Sequence, residues 1–96
     1  MSDRSKMLVR AVRIVNRQGL HTRPVMKFVD LTGRFSSEVR VDKGDGTEQV
    51  DGRSPMEMML LEAPKGTSLR ITVTGEDAAE LLDALEELIN SRFGEE

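Results

Sequence analysis

The chain has 96 residues, 38% hydrophobic and 32% charged, as is usual for one folded globule. It has no cysteine, so disulfides, thiolate metal sites and cysteine nucleophiles are excluded. The net charge is −3 and the only aromatic residues are three Phe. Because nucleic-acid-binding surfaces are usually basic and stack bases on exposed rings, we expect no nucleic acid as a partner.

The first apolar segment, residues 7–15, is interrupted by Arg10 and Arg13. It is too broken for a signal peptide and too short to span a membrane, so we expect a cytoplasmic protein without membrane insertion. His21 is the single histidine, and no carboxylate–histidine motif surrounds it. We therefore expect neither a metal nor a cofactor.

Hydrophobic periodicity predicts seven elements in the order βαββαβα. The predicted strands are residues 8–15, 35–43, 47–50 and 69–74; the predicted helices are residues 23–31, residues 54–61 and a third that begins near residue 76 and ends before residue 94. Residues 35–43 alternate, with Phe35, Val39 and Val41 on one side. The Gly-Asp-Gly sequence at 44–46 predicts a hairpin turn.

The last helix carries the clearest apolar face, at helical spacing. Its members are Ala78, Leu81, Leu82, Leu85, Leu88 and Ile89. One apolar stripe per element is buried most simply by a single sheet with its helices on one face. The predicted fold is therefore α+β, an open-faced β-sandwich with a four-stranded antiparallel sheet and three helices on one face.

Residues 16–24 join the first predicted strand to the first predicted helix. Gly19 permits an unusual turn, and Pro24 suits the first turn of a helix, where a missing N–H costs nothing. His21 thus precedes a helix N-terminus, whose free N–H groups and dipole attract anions. Arg23 adds a guanidinium whose geometry matches phosphate oxygens.

Neutral imidazole is a nucleophile near pH 7, so His21 is a candidate acceptor of a phosphoryl group. Arg17 adds positive potential from the loop. A helix cap or an ordinary surface histidine is the alternative that these residues alone leave open.

The pattern Asn16-x-x-Gly19-Leu20-His21-x-Arg23-Pro24 resembles the active-site signature of the HPr family, the histidine phosphocarriers of the phosphoenolpyruvate-dependent sugar phosphotransferase system. Further similar positions are Phe28-Val29, residues 35–39, Ser54 with Met56, Met58 and Met59, Lys65-Gly66, and residues 75–77 with the helix that follows. The similarity covers residues 8–93. It implies a single HPr domain over residues 1–96, with a core of about 8–93.

The resemblance implies that His21 accepts a phosphoryl group from phospho-enzyme I as a pros-phosphohistidine, and that Arg23 stabilises the phosphate. The recipients are then enzyme IIA domains of sugar permeases. Such a protein is a phosphoryl carrier and not an enzyme, and we expect a monomer.

Ser54 aligns with a regulatory serine that a bifunctional HPr kinase/phosphorylase modifies in many family members. Residues 54–57, Ser-Pro-Met-Glu, also form a capping box, in which Ser54 binds the N–H of Glu57 and Glu57 reaches back. Pro55 and Glu57 stand where kinase-regulated members usually carry a small apolar residue and a glycine. Arg53 offers a partial counter-charge for a phosphate. The sequence leaves open whether Ser54 is a regulatory phosphorylation site or only a helix cap.

A docking surface beside His21 is also predicted. Leu20, Met56 and Met59 are its apolar candidates, because methionine suits surfaces that accept several partners. Thr22, Arg17 and Arg53 are further candidates for partner binding, with the arginines attracting an acidic partner. The alternative places Met58, Leu60 and Leu61, with Met56 or Met59, on the buried side of the short helix.

A second hypothesis is a regulatory paralogue in nitrogen or carbon control that acts mainly by binding a partner through Ser54 or the methionines. A third, a small phosphatase, needs a base and a positioned water, and no second catalytic group accompanies His21.

Overall fold

The computed structural model describes residues 6–95; residues 1–5 and 96 of the predicted domain lie outside the described part. The strands are β1 (Met7–Arg13), β2 (Glu38–Asp42), β3 (Val50–Asp51) and β4 (Ser68–Thr74), and the helices are α1 (Thr22–Thr32), α2 (Pro55–Met59) and α3 (Ala78–Asn90), followed by a 3₁₀ turn (Arg92–Gly94). The predicted element order is confirmed.

The four strands form one antiparallel sheet in the order β1-β4-β2-β3. β4 lies between β1 and β2, with Val73 opposite both Leu8 and Val39. The predicted α+β open-faced sandwich is therefore correct. None of the helices within residues 6–95 has the length and hydrophobicity that crossing a membrane requires.

Alternation along β4 divides the two faces of the sheet. Leu69, Ile71 and Val73 are buried beneath the helices, whereas Arg70 is exposed on the open face. On the edge strand β1, Arg10 points toward α3. Its guanidinium donates hydrogen bonds to Asp83 (2.8 Å) and Glu86 (2.7 Å), which raise the pKa of Arg10.

The predicted apolar stripe of α3 packs into the core, where all its members except Leu88 are fully buried. Phe28 of α1 and Phe93 of the 3₁₀ turn are also fully buried. Phe35, which was expected on the core face of a strand, lies before β2 and is only partly buried.

β2 begins later than predicted because the preceding residues bind α3 instead of a neighbouring strand. The backbone N–H groups of Ser36 and Ser37 donate to the carboxylate of Asp77 at 2.9 and 3.0 Å, and both serine hydroxyls donate to it as well. These hydrogen bonds lower the pKa of Asp77, and the one from the Ser37 hydroxyl contributes most to this shift. The strand starts only at Glu38.

β3 is also displaced, from the predicted 47–50 to Val50–Asp51. The intervening residues form side-chain-stabilised turns: the Gly44 N–H donates to Asp42 at 2.7 Å and the Thr47 N–H to Asp45 at 3.3 Å. Such local bonds compete with strand pairing, so the chain joins the sheet only after the turn.

Candidate functional site

The loop between β1 and α1 is tied to the loop before β4 by main-chain hydrogen bonds. Ile14 exchanges two bonds of 2.8 Å with this loop, donating to the carbonyl of Thr67 and accepting from Gly66. The Leu20 N–H donates to the carbonyl of Ala63 at 2.8 Å. The residue before His21 is therefore held by a segment more than forty positions away in the chain.

Gly19 is required in this loop for two reasons. Its φ is +73°, in the left-handed region that side chains disfavour. A Cβ at this position would also lie 2.7 Å from the carbonyl oxygen of Ala63 and 2.8 Å from the Cα of Pro64. The turn thus depends on glycine for its conformation and for the close approach of the two loops.

His21 is the N-cap of α1, with an extended backbone (φ −90°, ψ −167°) and no side-chain capping bond. The Val25 N–H donates to the His21 carbonyl at 3.0 Å, while Pro24 occupies the first turn without an N–H to satisfy. Because the imidazole makes no capping bond and is 35% exposed, one side of the ring is open to solvent at the positive end of the helix.

The carboxylate of Glu95 contacts the other side of the imidazole. Oε2 lies 3.2 Å and Oε1 3.4 Å from His21 Nε2. The Nδ2 group of Asn16 donates to Glu95 Oε1 at 3.2 Å and to the carbonyl of Gly19 at 2.7 Å. Asn16 is fully buried, and its Oδ1 has no hydrogen-bond partner in the described chain. The buried amide of Asn16 therefore acts as a hydrogen-bond donor that joins the Gly19 carbonyl to the Glu95 carboxylate.

The C-terminal arm, residues 92–95, brings Glu95 to this position. Arg92, Phe93 and Gly94 all have positive φ, at 61°, 55° and 74°. Two consecutive non-glycine residues in the left-handed region are costly, so tertiary contacts must hold them there. The buried ring of Phe93 is one such contact, and a 2.7 Å hydrogen bond from Lys27 Nζ to the Phe93 carbonyl is another.

Three cations line an open cleft of about 530 Å³, which shares Arg23 and Glu95 with the shallower cleft at His21. The cleft is lined by Arg17, Gln18, Arg23, Lys27, Gly94 and Glu95. The predicted positive potential from Arg17 and Arg23 is thus concentrated at the start of α1, although the chain as a whole is acidic. Thr22, the first residue of α1, is exposed beside them.

The predicted exposure of Leu20 is wrong: its side chain is 5% exposed and belongs to the core. The main-chain bond to Ala63 turns this side chain inward. Met56 and Met59 are exposed, at 81% and 40%, as expected. Leu60, assigned to the buried side in the alternative prediction, is 72% exposed because the helical turns end at Met59.

Sequence reasoning missed two residues beside His21. Met26 is half-exposed and lines a shallow cleft together with His21 and Glu95. Met26 lies off the buried stripe of α1, and its exposure could have been predicted from that position in the sequence. Glu95 has no comparable signal, since no local pattern indicates that it meets a residue 74 positions earlier.

Arg53 is less available than predicted. Its Nη1 donates to the carbonyls of Thr32, Phe35 and Ser37 at 3.1, 2.9 and 3.1 Å. These bonds satisfy carbonyl groups at and beyond the end of α1. The guanidinium therefore has a structural role, and its predicted part as a counter-charge for Ser54 or as a partner contact requires these bonds to be shared or broken.

Ser54 is the N-cap of α2, and its Oγ accepts the Glu57 N–H at 3.2 Å. Glu57 does not complete the predicted capping box. Its Oε1 accepts the N–H of Asp51 at 2.8 Å, while the Ser54 N–H donates to the Asp51 carbonyl at 3.1 Å. The serine is thus a cap, and a carboxylate already occupies part of the space before the helix.

These features define a small α+β protein with a partly exposed imidazole at a helix N-terminus. A family model described as the PTS HPr component phosphorylation site matches residues 8–91. The chain belongs to this HPr family. It is 46% identical to phosphocarrier protein HPr of Pseudomonas aeruginosa over 84 residues, covering 88% of this chain and 92% of the relative. It is 44% identical to HPr of Neisseria meningitidis serogroup A over 89 residues, covering 93% and 98%.

Solved structures agree with this assignment. The HPr-C-His structure from Thermoanaerobacter tengcongensis superposes with a TM-score of 0.86 at 36% identity, covering 93% of this chain and 98% of that one. Two relatives carry other names. Phosphocarrier protein NPr of Escherichia coli is 35% identical over 85 residues, covering 88% and 93%. Crh, the catabolite repression HPr of Bacillus subtilis, superposes with a TM-score of 0.70 at 33% identity, covering 84% and 91%.

Proposed function

We propose that His21 accepts a phosphoryl group from phospho-enzyme I and passes it to enzyme IIA domains. The observation that carries this proposal is the partly exposed imidazole at the N-terminus of α1, in a chain of the HPr family. A nucleophile in this place receives the phosphoryl group where helix N–H groups and the dipole stabilise negative charge.

The transfer is a displacement at phosphorus. A lone pair of the His21 imidazole forms the new P–N bond while the bond from phosphorus to the donor breaks, and the electron pair of that bond stays with the donor. The reverse displacement, with an acceptor on the enzyme IIA domain, discharges His21. The proposal assigns the bond to Nδ1, as a pros-phosphohistidine.

Arg23 stabilises the phosphoryl oxygens in this proposal, and Arg17 and Lys27 add positive potential. All three line one cleft, and Arg23 also lines the neighbouring cleft that contains the imidazole. A guanidinium binds phosphate in bidentate geometry, which suits the trigonal array of oxygens in transit. The dipole of the helix contributes about 0.3–2 kcal/mol. A carrier benefits from such moderate stabilisation, because a more stable phosphoryl adduct would be slow to discharge.

The docking surface in this proposal comprises Met26 on α1 and Met56, Met59 and Leu60 at α2. These four side chains are exposed, and α1 packs against α2. Flexible methionines adapt to differently shaped partners, as a carrier that meets both a donor and several acceptors requires.

The test is incubation with enzyme I and phosphoenolpyruvate, followed by intact mass and phosphorus NMR. Wild-type protein is expected to gain one acid-labile phosphoryl group, and His21→Ala none. The Lys65→Ala variant, altered at an exposed residue, is the matched control and is expected to be labelled normally. No labelling of wild-type protein by an enzyme I that phosphorylates a known HPr contradicts the proposal for that donor.

Ser54 is a second candidate site, for regulation by an HPr kinase/phosphorylase. Its hydroxyl is accessible in part but is engaged as a helix cap, and a phosphate there would face the carboxylate of Glu57. The kinase assay with ATP compares wild-type protein, Ser54→Ala and a known substrate. Labelling of the known substrate alone contradicts regulation through Ser54.

The alternative function is a regulatory paralogue in nitrogen or carbon control. The similarity of this chain to NPr and to Crh supports this alternative. In that case the phosphorylated protein is discharged slowly, or not at all, by sugar-specific enzyme IIA domains. Transfer rates from phosphorylated wild-type protein to sugar-specific and nitrogen-related enzyme IIA domains, measured side by side, separate the two functions.

A further inference from the structure

The carboxylate of Glu95 is placed to control the ring of His21. Its two oxygens lie 3.2 and 3.4 Å from Nε2, and its side chain is only 19% exposed. Carboxylate oxygens accept hydrogen bonds and an unprotonated ring nitrogen also only accepts, so two acceptors facing each other at this distance repel. The contact therefore favours the form of the ring that carries its proton on Nε2.

The arm that holds Glu95 is anchored on both sides of the contact. The buried amide of Asn16 donates to Oε1, and Lys27 holds the carbonyl of Phe93, two residues before Glu95. Phe93 itself is fully buried despite its left-handed backbone. The Lys27 ammonium, the buried Phe93 ring and the buried Asn16 amide together fix the conformation of the arm. The approach of the Glu95 carboxylate to Nε2 therefore follows from the fold.

The following inference rests on the function proposed above. We propose that Glu95 is a positioning residue for phosphoryl transfer: it holds the ring proton of His21 on Nε2 and leaves the lone pair of Nδ1 as the nucleophile. When Nδ1 forms the bond to phosphorus, the bond from phosphorus to the donor breaks and its electron pair leaves with the donor. The Nε2 proton stays in place, and the positive charge that develops on the ring is offset by the carboxylate.

Two variants separate the hydrogen bond from the charge. Glu95→Gln keeps an acceptor oxygen of the same reach and removes the negative charge, whereas Glu95→Ala removes both. Glu87→Gln is the matched control, because Glu87 is exposed on α3. The amide resonances of Phe93 in each variant report whether the arm keeps its packing.

The first measurement is nitrogen-15 NMR of the imidazole at mildly alkaline pH, where free imidazole is neutral. Wild-type protein, Glu95→Gln and Glu87→Gln are expected to show the Nε2–H tautomer alone, and Glu95→Ala a mixture of both tautomers. Rescue by Gln is a result that loss of arm packing would not produce. An unchanged tautomer in Glu95→Ala with an intact arm overturns the proposal.

The second measurement is the rate of phosphorylation by enzyme I. A roughly three- to tenfold fall is expected in Glu95→Ala, corresponding to one hydrogen bond, with a smaller fall in Glu95→Gln. A rate in Glu95→Ala within about twofold of wild type also overturns the proposal. If wild-type protein is not phosphorylated at all, the proposed relay fails, while the tautomer measurement still decides whether Glu95 positions the ring.

Discussion

Lys27 of α1 donates a 2.7 Å hydrogen bond from Nζ to the carbonyl oxygen of Phe93, and this bond joins the first helix to the C-terminal arm. It counters the tendency of the left-handed residues 92–94 to relax. The site at His21 is thereby completed from both ends of the described chain, by the loop before α1 and by the arm after α3.

Replacing Lys27 by Met is expected to loosen the arm. A net loss of about 0.5–1.5 kcal/mol should raise the exchange rate of the Gly94 and Glu95 amide protons roughly two- to tenfold. Hydrogen exchange measured by NMR checks this, with Lys65→Met at an exposed position as the control. Unchanged exchange at both amides would show that the arm is held by Phe93 alone.

Replacing Arg23 by Ala is expected to slow phosphorylation of His21 by enzyme I by about 10- to 100-fold without destabilising the fold. The reason is the loss of charge-assisted bonds, worth about 1.5–3 kcal/mol, that form with the phosphoryl oxygens in transit. A time course of phosphorylation at several enzyme I concentrations, with samples quenched at each time, measures the rate. Arg13→Ala, on the exposed end of β1, is the control, and equal slowing in both variants would refute a specific role.

Replacing Ser54 by Ala is expected to lower the free energy of unfolding by about 0.5–2 kcal/mol, because α2 loses its N-cap. Ser54→Asp should keep most of that stability, since Asp is an equally good N-cap. Urea unfolding measures both variants. Equal destabilisation by Ala and Asp would show that the capping bond to Glu57 contributes little.

The Asp77 carboxylate predicts a defined pH dependence of stability. Hydrogen bonds from Ser37 and Ser36 hold the pKa of Asp77 below its usual value, so its contribution is complete above the pKa of the unfolded chain, about 4. It is lost as the pH falls through the lower, folded pKa. Asp77→Asn should therefore cost about 1–3 kcal/mol at neutral pH, and the difference should shrink in acid.

Urea unfolding of wild-type protein and Asp77→Asn across the acid range tests this. Asp30→Asn is the control, because Asp30 forms an exposed pair with Arg34 at 2.9 Å and should have little effect at any pH. A difference between wild type and Asp77→Asn that stays constant with pH would mean that the charge is not the source of the stabilisation.

Replacing Gly19 by Ala is expected to be far more damaging than replacing Gly44 by Ala. Both glycines have φ near +72°, but a Cβ at Gly44 meets nothing within 4 Å, whereas one at Gly19 collides with the main chain of Ala63. Gly44→Ala should cost about 1 kcal/mol and Gly19→Ala several kcal/mol. Thermal unfolding measures both, and similar losses would contradict the close approach.

Features that depend on neighbouring residues were predictable from the sequence. Alternation located β4, helical spacing identified the buried face of α3, and the signature around His21 placed that residue before a helix. The cap at Ser54 was also readable, because its partner is three residues away. In each case the residues that decide the feature lie within a few positions of one another along the chain, so local spacing is sufficient.

Only the tertiary structure decided the features that join distant segments. Leu20 is buried because its main chain binds Ala63, β2 begins late because Asp77 binds the residues before it, and Glu95 reaches His21 because the arm turns back. No local period encodes such contacts, since they depend on the order of strands in the sheet and on where α3 ends. The sequence by itself thus determined the fold class and the position of His21 before a helix, while packing between segments decided which side chains surround this histidine.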